Sequence, residues 1–167
     1  NKTGEAKPNS EIHGKGLWHR TAHVWVINFK KEILLQRRSQ HSETYPHMWD
    51  ISAAGHISAG ENEDVAALRE MKEEIGIDIS SENLKKIGEI IDKRVFLNGT
   101  FINNEFQNIY LVQGNFSIKD FKMQESEVED LKLIPISEFK KMVEEKNSDL
   151  VPHAEEYKLL FKVLENL

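Results

Sequence analysis

The segment from Glu63 to Ile75 limits the fold of this chain more than any other stretch. Val65, Leu68, Met71 and Ile75 recur at helical spacing, and Gly76 stands where a helix ends in a left-handed residue, so the pattern predicts a helix over 63–75. At about 100° per residue, Glu70, Glu73 and Glu74 share one face of that helix, roughly opposite the stripe of Leu68, Met71 and Ile75. Three carboxylates at i, i+3 and i+4 repel one another. Like charges about 5 Å apart at an effective dielectric of about 20 cost on the order of 3 kcal/mol per pair, and far less when solvated. A divalent cation turns that repulsion into binding, because hard cations take oxygen ligands. Arg69 lies one turn from Glu73 and is placed to orient its carboxylate.

The rest of the chain reads as a mixture of strands and helices. Thr21 to Asn28 and Glu32 to Arg37 are rich in β-branched, aromatic and aliphatic residues, and the turn-like Phe29-Lys30-Lys31 between them predicts a hairpin. Loop signals at Ser39 to Ser42 and Tyr45-Pro46 precede Trp49 to Ile57, which holds a small-residue stretch around Ser52-Ala53-Ala54-Gly55. Further strands are expected at Ile87 to Phe96, Phe106 to Val112 and Leu131 to Ile134. Ser137 is a candidate N-cap for a helix through Glu145, and a last amphipathic helix carries Tyr157, Leu160, Phe161 and Leu164. Hairpin signals beside helical crossovers point to an α/β fold, a mixed sheet with helices on its faces.

Composition excludes several classes. There is no repeat or low-complexity linker in the 167 residues, so one domain, 1–167, is expected. Apolar content of 39% with 30% charged residues is that of a globular protein. The chain has no cysteine, which removes disulfides, thiolate metal sites and thiol nucleophiles. A net charge of −6 argues against general nucleic-acid binding. No apolar run approaches the roughly 20 residues that cross a bilayer, and the polar start Asn1 to Glu5 carries no secretion signal, so the expected location is cytoplasmic with no membrane partner.

An isolated acidic patch is usually a solvated helix face, but here the flanking residues form a longer pattern. The string Gly55-x5-Glu61-x7-Arg69-Glu70-Met71-x-Glu73-Glu74-x-Gly76-Ile77 matches the Nudix box at every fixed position. At residue usages of about one in fifteen, chance would produce it in fewer than about one chain in a million. The sequence therefore resembles the Nudix hydrolases, the MutT-like family. The resemblance implies a Nudix-type α/β/α sandwich with a mixed β-sheet flanked by helices. It implies Mg2+ or Mn2+ held by Glu70, Glu73 and Glu74 with the backbone carbonyl near Gly55, and water attacking phosphorus in the diphosphate of a small phosphorylated substrate. Glu61 and Arg69 would tie the box loop to its helix. A homodimer is common in the superfamily and is compatible with this chain.

Between about Leu17 and Ile136 the chain also resembles the isopentenyl-diphosphate-isomerase-like branch, through Trp18-His19-Arg20-Thr21, Gln36-Arg37-Arg38, Tyr45-Pro46-x-x-Trp49, Gly55-His56 and Asn104-Glu105-Phe106. The isomerase carries a catalytic cysteine where this chain has Ala54, and a metal-binding glutamate where this chain has Asn103. His19 and His56, with His13 as a third, match the isomerase's metal-binding histidines; here His19 and His56 are candidates for binding substrate or metal. Arg37 or Arg38 is expected to face the site, where a guanidinium fork suits phosphate, and Arg37 is the first choice. Glu105 and Glu127 are the two candidates for a general base outside the box, alongside Glu73 within it.

Overall fold

The structure, a computed structural model, describes residues 5–167; the polar start at Asn1 to Gly4 lies outside them. The elements in chain order are α1 (Asn9–Lys15), β1 (Trp18–Asn28), β2 (Glu32–Arg38), β3 (Trp49–Asp50), β4 (Ala53–His56), α2 (Glu63–Ile75), β5 (Leu84–Phe96), β6 (Phe101–Gly114), β7 (Val128–Pro135), α3 (Ile136–Glu144) and α4 (Ala154–Leu164). Among the described residues, no helix is long and apolar enough to cross a membrane.

The sheet is mixed, and β1 is its axis. β1 runs parallel to β6 along its whole length, from Trp18 beside Asn104 to Asn28 beside Gly114, and β5 pairs antiparallel with β6. The expected hairpin of β1 and β2 forms only at its turn. Asn28 builds that turn by accepting from the backbone N–H groups of Lys30 and Glu32, at 3.0 and 2.9 Å. Beyond the single pair Ile27 with Ile33 the two strands diverge. β4 takes the freed edge of β1, from Thr21 opposite His56 to Val24 opposite Ala53, while β2 pairs with β3 and β7. Ser52 is fully buried in the split: its hydroxyl accepts from Val26 N–H at 2.9 Å and donates to Leu34 O at 2.6 Å. A buried N–H and C=O that would otherwise be orphaned are thereby satisfied.

Strand alternation sends side chains to two cores. Ala22, Val24, Val26 and Leu34 pack with Ala66, Ala67, Met71 and Ile75 of α2. Trp25, Ile27, Ile33 and Leu35 pack on the other face with Phe139 of α3 and with Tyr157 and Leu160 of α4. Helix, sheet and helices form the expected three layers. α3 begins with Pro135 at the cap position and Ser137 inside it, without a side-chain cap bond, so the expected Ser137 cap is not used. The helix α1 was not expected; Glu11 in its first turn and Gly16, left-handed at φ 62°, are its local signals.

The splitting of β1 from β2 leaves a cleft of about 660 Å3, bounded by α2 and β4 on one side and by the β5–β6 hairpin and the start of α4 on the other.

Candidate active site

The helix α2 spans the expected residues, capped by the Asn62 side chain accepting from Asp64 N–H at 2.9 Å and by left-handed Gly76. Its orientation differs from the sequence reading. The buried side carries Ala66, Ala67, Met71 and Ile75 together with Glu70 and Glu74, whereas Val65 is 56% exposed. The small alanines let the helix sit close to the sheet and bring two of the glutamates down onto β4 rather than out to solvent. Glu74 accepts through Oε2 from Ala54 N–H at 2.9 Å and from Gln36 Nε2 at 3.0 Å. Glu70 lies against Gly55, where an added Cβ would stand 2.1 Å from the Glu70 carboxyl carbon. Glycine is the residue that leaves room there.

Burial raises the Glu74 carboxyl to about 8, and it raises Glu70 as well; Glu127, on the segment entering β7, repels both. Glu127 and exposed Glu73 line the same cleft as Glu70, Glu74 and Gly55, so four carboxylates share it with the box glycine. Arg69 binds this group to the preceding loop. Its Nε and NH2 donate to the two oxygens of Glu61, at 2.9 and 3.1 Å, its NH2 reaches His56 O at 3.0 Å, and its NH1 reaches Glu70 and Glu73 at 2.5 and 3.1 Å. Glu61 also accepts from Ser58 N–H, and Arg69 holds its carboxyl below the usual range.

A second cluster stands at the other end of β4. Ligand atoms of His13 from α1, His19 from β1 and His56 from β4 all lie within 4.8 Å of one another. His19 Nδ1 faces Leu17 O at 3.2 Å; a carbonyl can only accept, so that nitrogen carries the proton. His19 Nε2 lies 3.3 Å from Glu105 Oε1. His13 Nδ1, His19 Nε2 and Asn103 Oδ1 are buried without a hydrogen-bond partner. Burial holds His56 down at about 4 and also lowers His13, which keeps these rings in the neutral, ligating form. Burial disfavours the Glu105 anion, yet its contacts with His19, His23 and Gln107 outweigh that and hold it well below the carboxylate range.

Sequence reasoning missed a third group, at the cleft floor. His23 Nδ1 donates to Glu156 Oε2 at 2.9 Å, and Trp25 Nε1 donates to Glu156 Oε1 at 2.8 Å. His153 Nε2 meets Asp50 Oδ1 at 2.8 Å, and Arg38 NH1 reaches Asp50 Oδ2 at 2.9 Å. The local signal was the run of polar residues His19, Thr21 and His23 at alternate positions of β1, ahead of core Trp25. Of the two β2 arginines, Arg38 is the one that lines the cleft. Arg37, expected at the site, is not among the lining residues; strand alternation turns it the other way, where it donates to His47 O and lies 5.9 Å from the Trp49 ring centroid.

The arrangement can bind a divalent cation at the carboxylates and can bind a transition metal at the histidines. Comparison with known proteins agrees with the geometry. The family model of the NUDIX domain matches residues 17–154. Nudix hydrolase 3 of Arabidopsis thaliana is 37% identical over 168 residues, covering 98% of this chain but only 22% of that protein. An uncharacterised Nudix hydrolase of Clostridium acetobutylicum is 39% identical over 144 residues, covering 84% of this chain and 68% of the relative. The crystal structure of a MutT protein from Methanosarcina mazei superposes with a TM-score of 0.68 at 20% identity, over 89% of this chain and 95% of that one, which speaks to the fold. With the family model covering most of its length, this chain belongs to the Nudix hydrolase family.

Proposed function

We propose that the chain is a Mg2+- or Mn2+-dependent diphosphohydrolase acting on a small substrate such as a nucleoside diphosphate derivative. The observation that carries this reading is that Glu70, Glu73, Glu74 and Glu127 line one cleft with Gly55, two of them buried with raised pKa values. Arg69 offsets part of the cost of burying Glu70, and Ala54 N–H and Gln36 part of that of Glu74, but each pKa stays raised, so without a cation the burial is a net cost. The donor set fits the metal: hard oxygens from Glu70, Glu73 and Glu74, with Gly55, whose backbone carbonyl would be a further oxygen donor, lying against the Glu70 carboxyl. When bound, the metal supplies charge that neutralises the diphosphate and acidifies the attacking water. Arg69 keeps Glu70 and Glu73 aimed at the site, and Gln36 with Ala54 N–H orients Glu74.

Of the two candidate bases, Glu127 fits the proton-accepting role better. It stands by the box carboxylates, whereas Glu105 is engaged by His19 and Gln107 and its depressed pKa makes it a weak base. Glu127→Gln should lower kcat by roughly 100-fold with little change in KM, and Glu105→Gln should act less in saturating Mg2+. Equal kcat for Glu127→Gln and wild type would remove the role. The reading as a whole is tested by a hydrolysis screen of nucleoside diphosphates, nucleotide sugars, dinucleotides and isoprenoid diphosphates with Mg2+ and Mn2+. No metal-dependent release of a phosphorylated product from any of them would sink it.

The histidine cluster favours a second reading, an isomerase of the isopentenyl-diphosphate type, since His13, His19, His56 and Glu105 match that branch. Against it stands Ala54. Moving a proton on and off carbon needs an acid and a base across the double bond, and a methyl group is neither. The expected result is no deuterium uptake from heavy water into isopentenyl diphosphate; enzymatic uptake abolished by Glu105→Gln would install the isomerase reading instead.

A further inference from the structure

We propose that His23 is a substrate-contacting residue whose Nε2–H donates a hydrogen bond to a non-bridging phosphoryl oxygen of the bound diphosphate, with Glu156 as its positioning residue. The inference rests on the diphosphohydrolase reading and names a contact that the Nudix box does not contain.

Four observations carry it. The first is placement. His23 is the β1 partner of Ala54, whose N–H reaches Glu74, and its imidazole, on the sheet face that carries Trp25, lines the same cleft as the box carboxylates.

The second is the fixed orientation of the ring. A carboxylate can only accept, so Glu156 Oε2 sets a proton on His23 Nδ1 and locks the ring, while Trp25 Nε1 occupies Oε1 and holds the carboxylate itself. Glu156 is 1% exposed and lies in the first turn of α4, where the helix dipole favours a negative charge. The pair keeps His23 charged: burial opposes the imidazolium, but Glu156 overrides it and lifts the group to about 9.

The third is the vacant valence. Among the described residues Nε2 hydrogen-bonds only the Thr21 hydroxyl, at 3.3 Å, which is long for a hydrogen bond and easily yielded to an anionic oxygen. The neighbouring guanidinium groups are already committed, Arg38 to Asp50, Arg69 to Glu61 and Arg94 to Asp92.

The fourth is energetic. On the same face of β1, Trp25 and Ile27 lie in the apolar core, where taking two charges out of water costs free energy that their mutual attraction only partly returns. Stability alone does not account for a buried ion pair here.

The test is heteronuclear NMR of the full chain carrying 15N-labelled histidine and backbone, titrated in Mg2+ with methylenediphosphonate, a diphosphate that cannot be hydrolysed. The expected result is a shift of the His23 Nε2 resonance that saturates together with the Ala54 and Gly55 amide shifts. Binding should weaken by about tenfold or more in His23→Phe and less in His23→Gln, whose amide retains a donor. Glu156→Gln should broaden or split the His23 ring signals as the tautomer is released. If the Ala54 and Gly55 amides move while the His23 ring stays silent, the inference is overturned and the diphosphohydrolase reading stands. If none of these signals moves, both fall. The wild-type titration decides the matter even where a variant does not fold.

Discussion

Glu74→Gln is expected to abolish metal-dependent activity, by at least about 100-fold, while raising the melting temperature of the metal-free protein at pH 8. The opposing signs follow from burial. Glu74 is 4% exposed and titrates at about 8 in the fold, against 4.5 as the ordinary value, so between those two pH values the folded state binds a proton that the unfolded chain has released. Stability contributed by the protonated group is complete below about pH 4.5 and is lost as the pH rises through about 8. The metal-free wild type should therefore melt at progressively lower temperature from pH 5 to pH 8, and saturating Mg2+ should restore it by replacing the proton. Glutamine keeps the carbonyl that accepts from Ala54 N–H and Gln36 but carries no charge to bury, so the variant should lose most of this slope and gain about 3 °C or more at pH 8. Glu73→Gln, at an exposed position, should lose activity with no such stabilisation. Scanning calorimetry in chelator across this range is the measurement. A pH-independent melting temperature for wild type, equal to that of the variant, would contradict the placement of the Glu74 charge.

Gly55→Ala should cost at least about tenfold in Mn2+ affinity and on the order of 1–3 kcal/mol in stability. Its Cβ would stand 2.1 Å from the Glu70 carboxyl carbon and 2.2 and 2.4 Å from the two oxygens, distances no packed atoms tolerate. Glu70 cannot simply swing aside, because it is buried and held by Arg69, which is itself forked onto Glu61. Gly60→Ala is the control. Gly60 has φ +81° and nothing within 4 Å of an added Cβ, so that substitution brings backbone strain of about 1 kcal/mol without touching a carboxylate. Titration calorimetry with Mn2+ should separate the two variants, Gly60→Ala binding like wild type. Gly55→Ala binding Mn2+ normally would show that the glycine is not there to admit Glu70.

The sequence by itself determined the helix, its ends and the family. Residues 63–75 are helical between Asn62 and Gly76 as local capping and periodicity require, and the box residues are readable because they form a short contiguous string of fixed spacing. It also pointed to a mixed sheet with helices on its faces, because hairpin signals stand beside helical patterns along the chain. Which face is which was decided only by tertiary structure. Apolar spacing alone pointed to Val65 and Leu68 as buried, yet the helix turned so that Ala66 and Ala67 meet the sheet and Glu70 and Glu74 meet β4, because small residues permit close approach and Gly55 leaves the space for a carboxylate. The same limit explains Arg37 and Arg38: alternation separates neighbours but does not say which one looks into the cleft. It applies most strongly to contacts between distant segments. His13 joins His19 and His56 only because α1 folds back on β6, and His23 meets Glu156 across 133 residues of chain. Local sequence carries propensity and periodicity, whereas a buried imidazole gains its charge and its role from a partner that only the closed fold brings within hydrogen-bond reach.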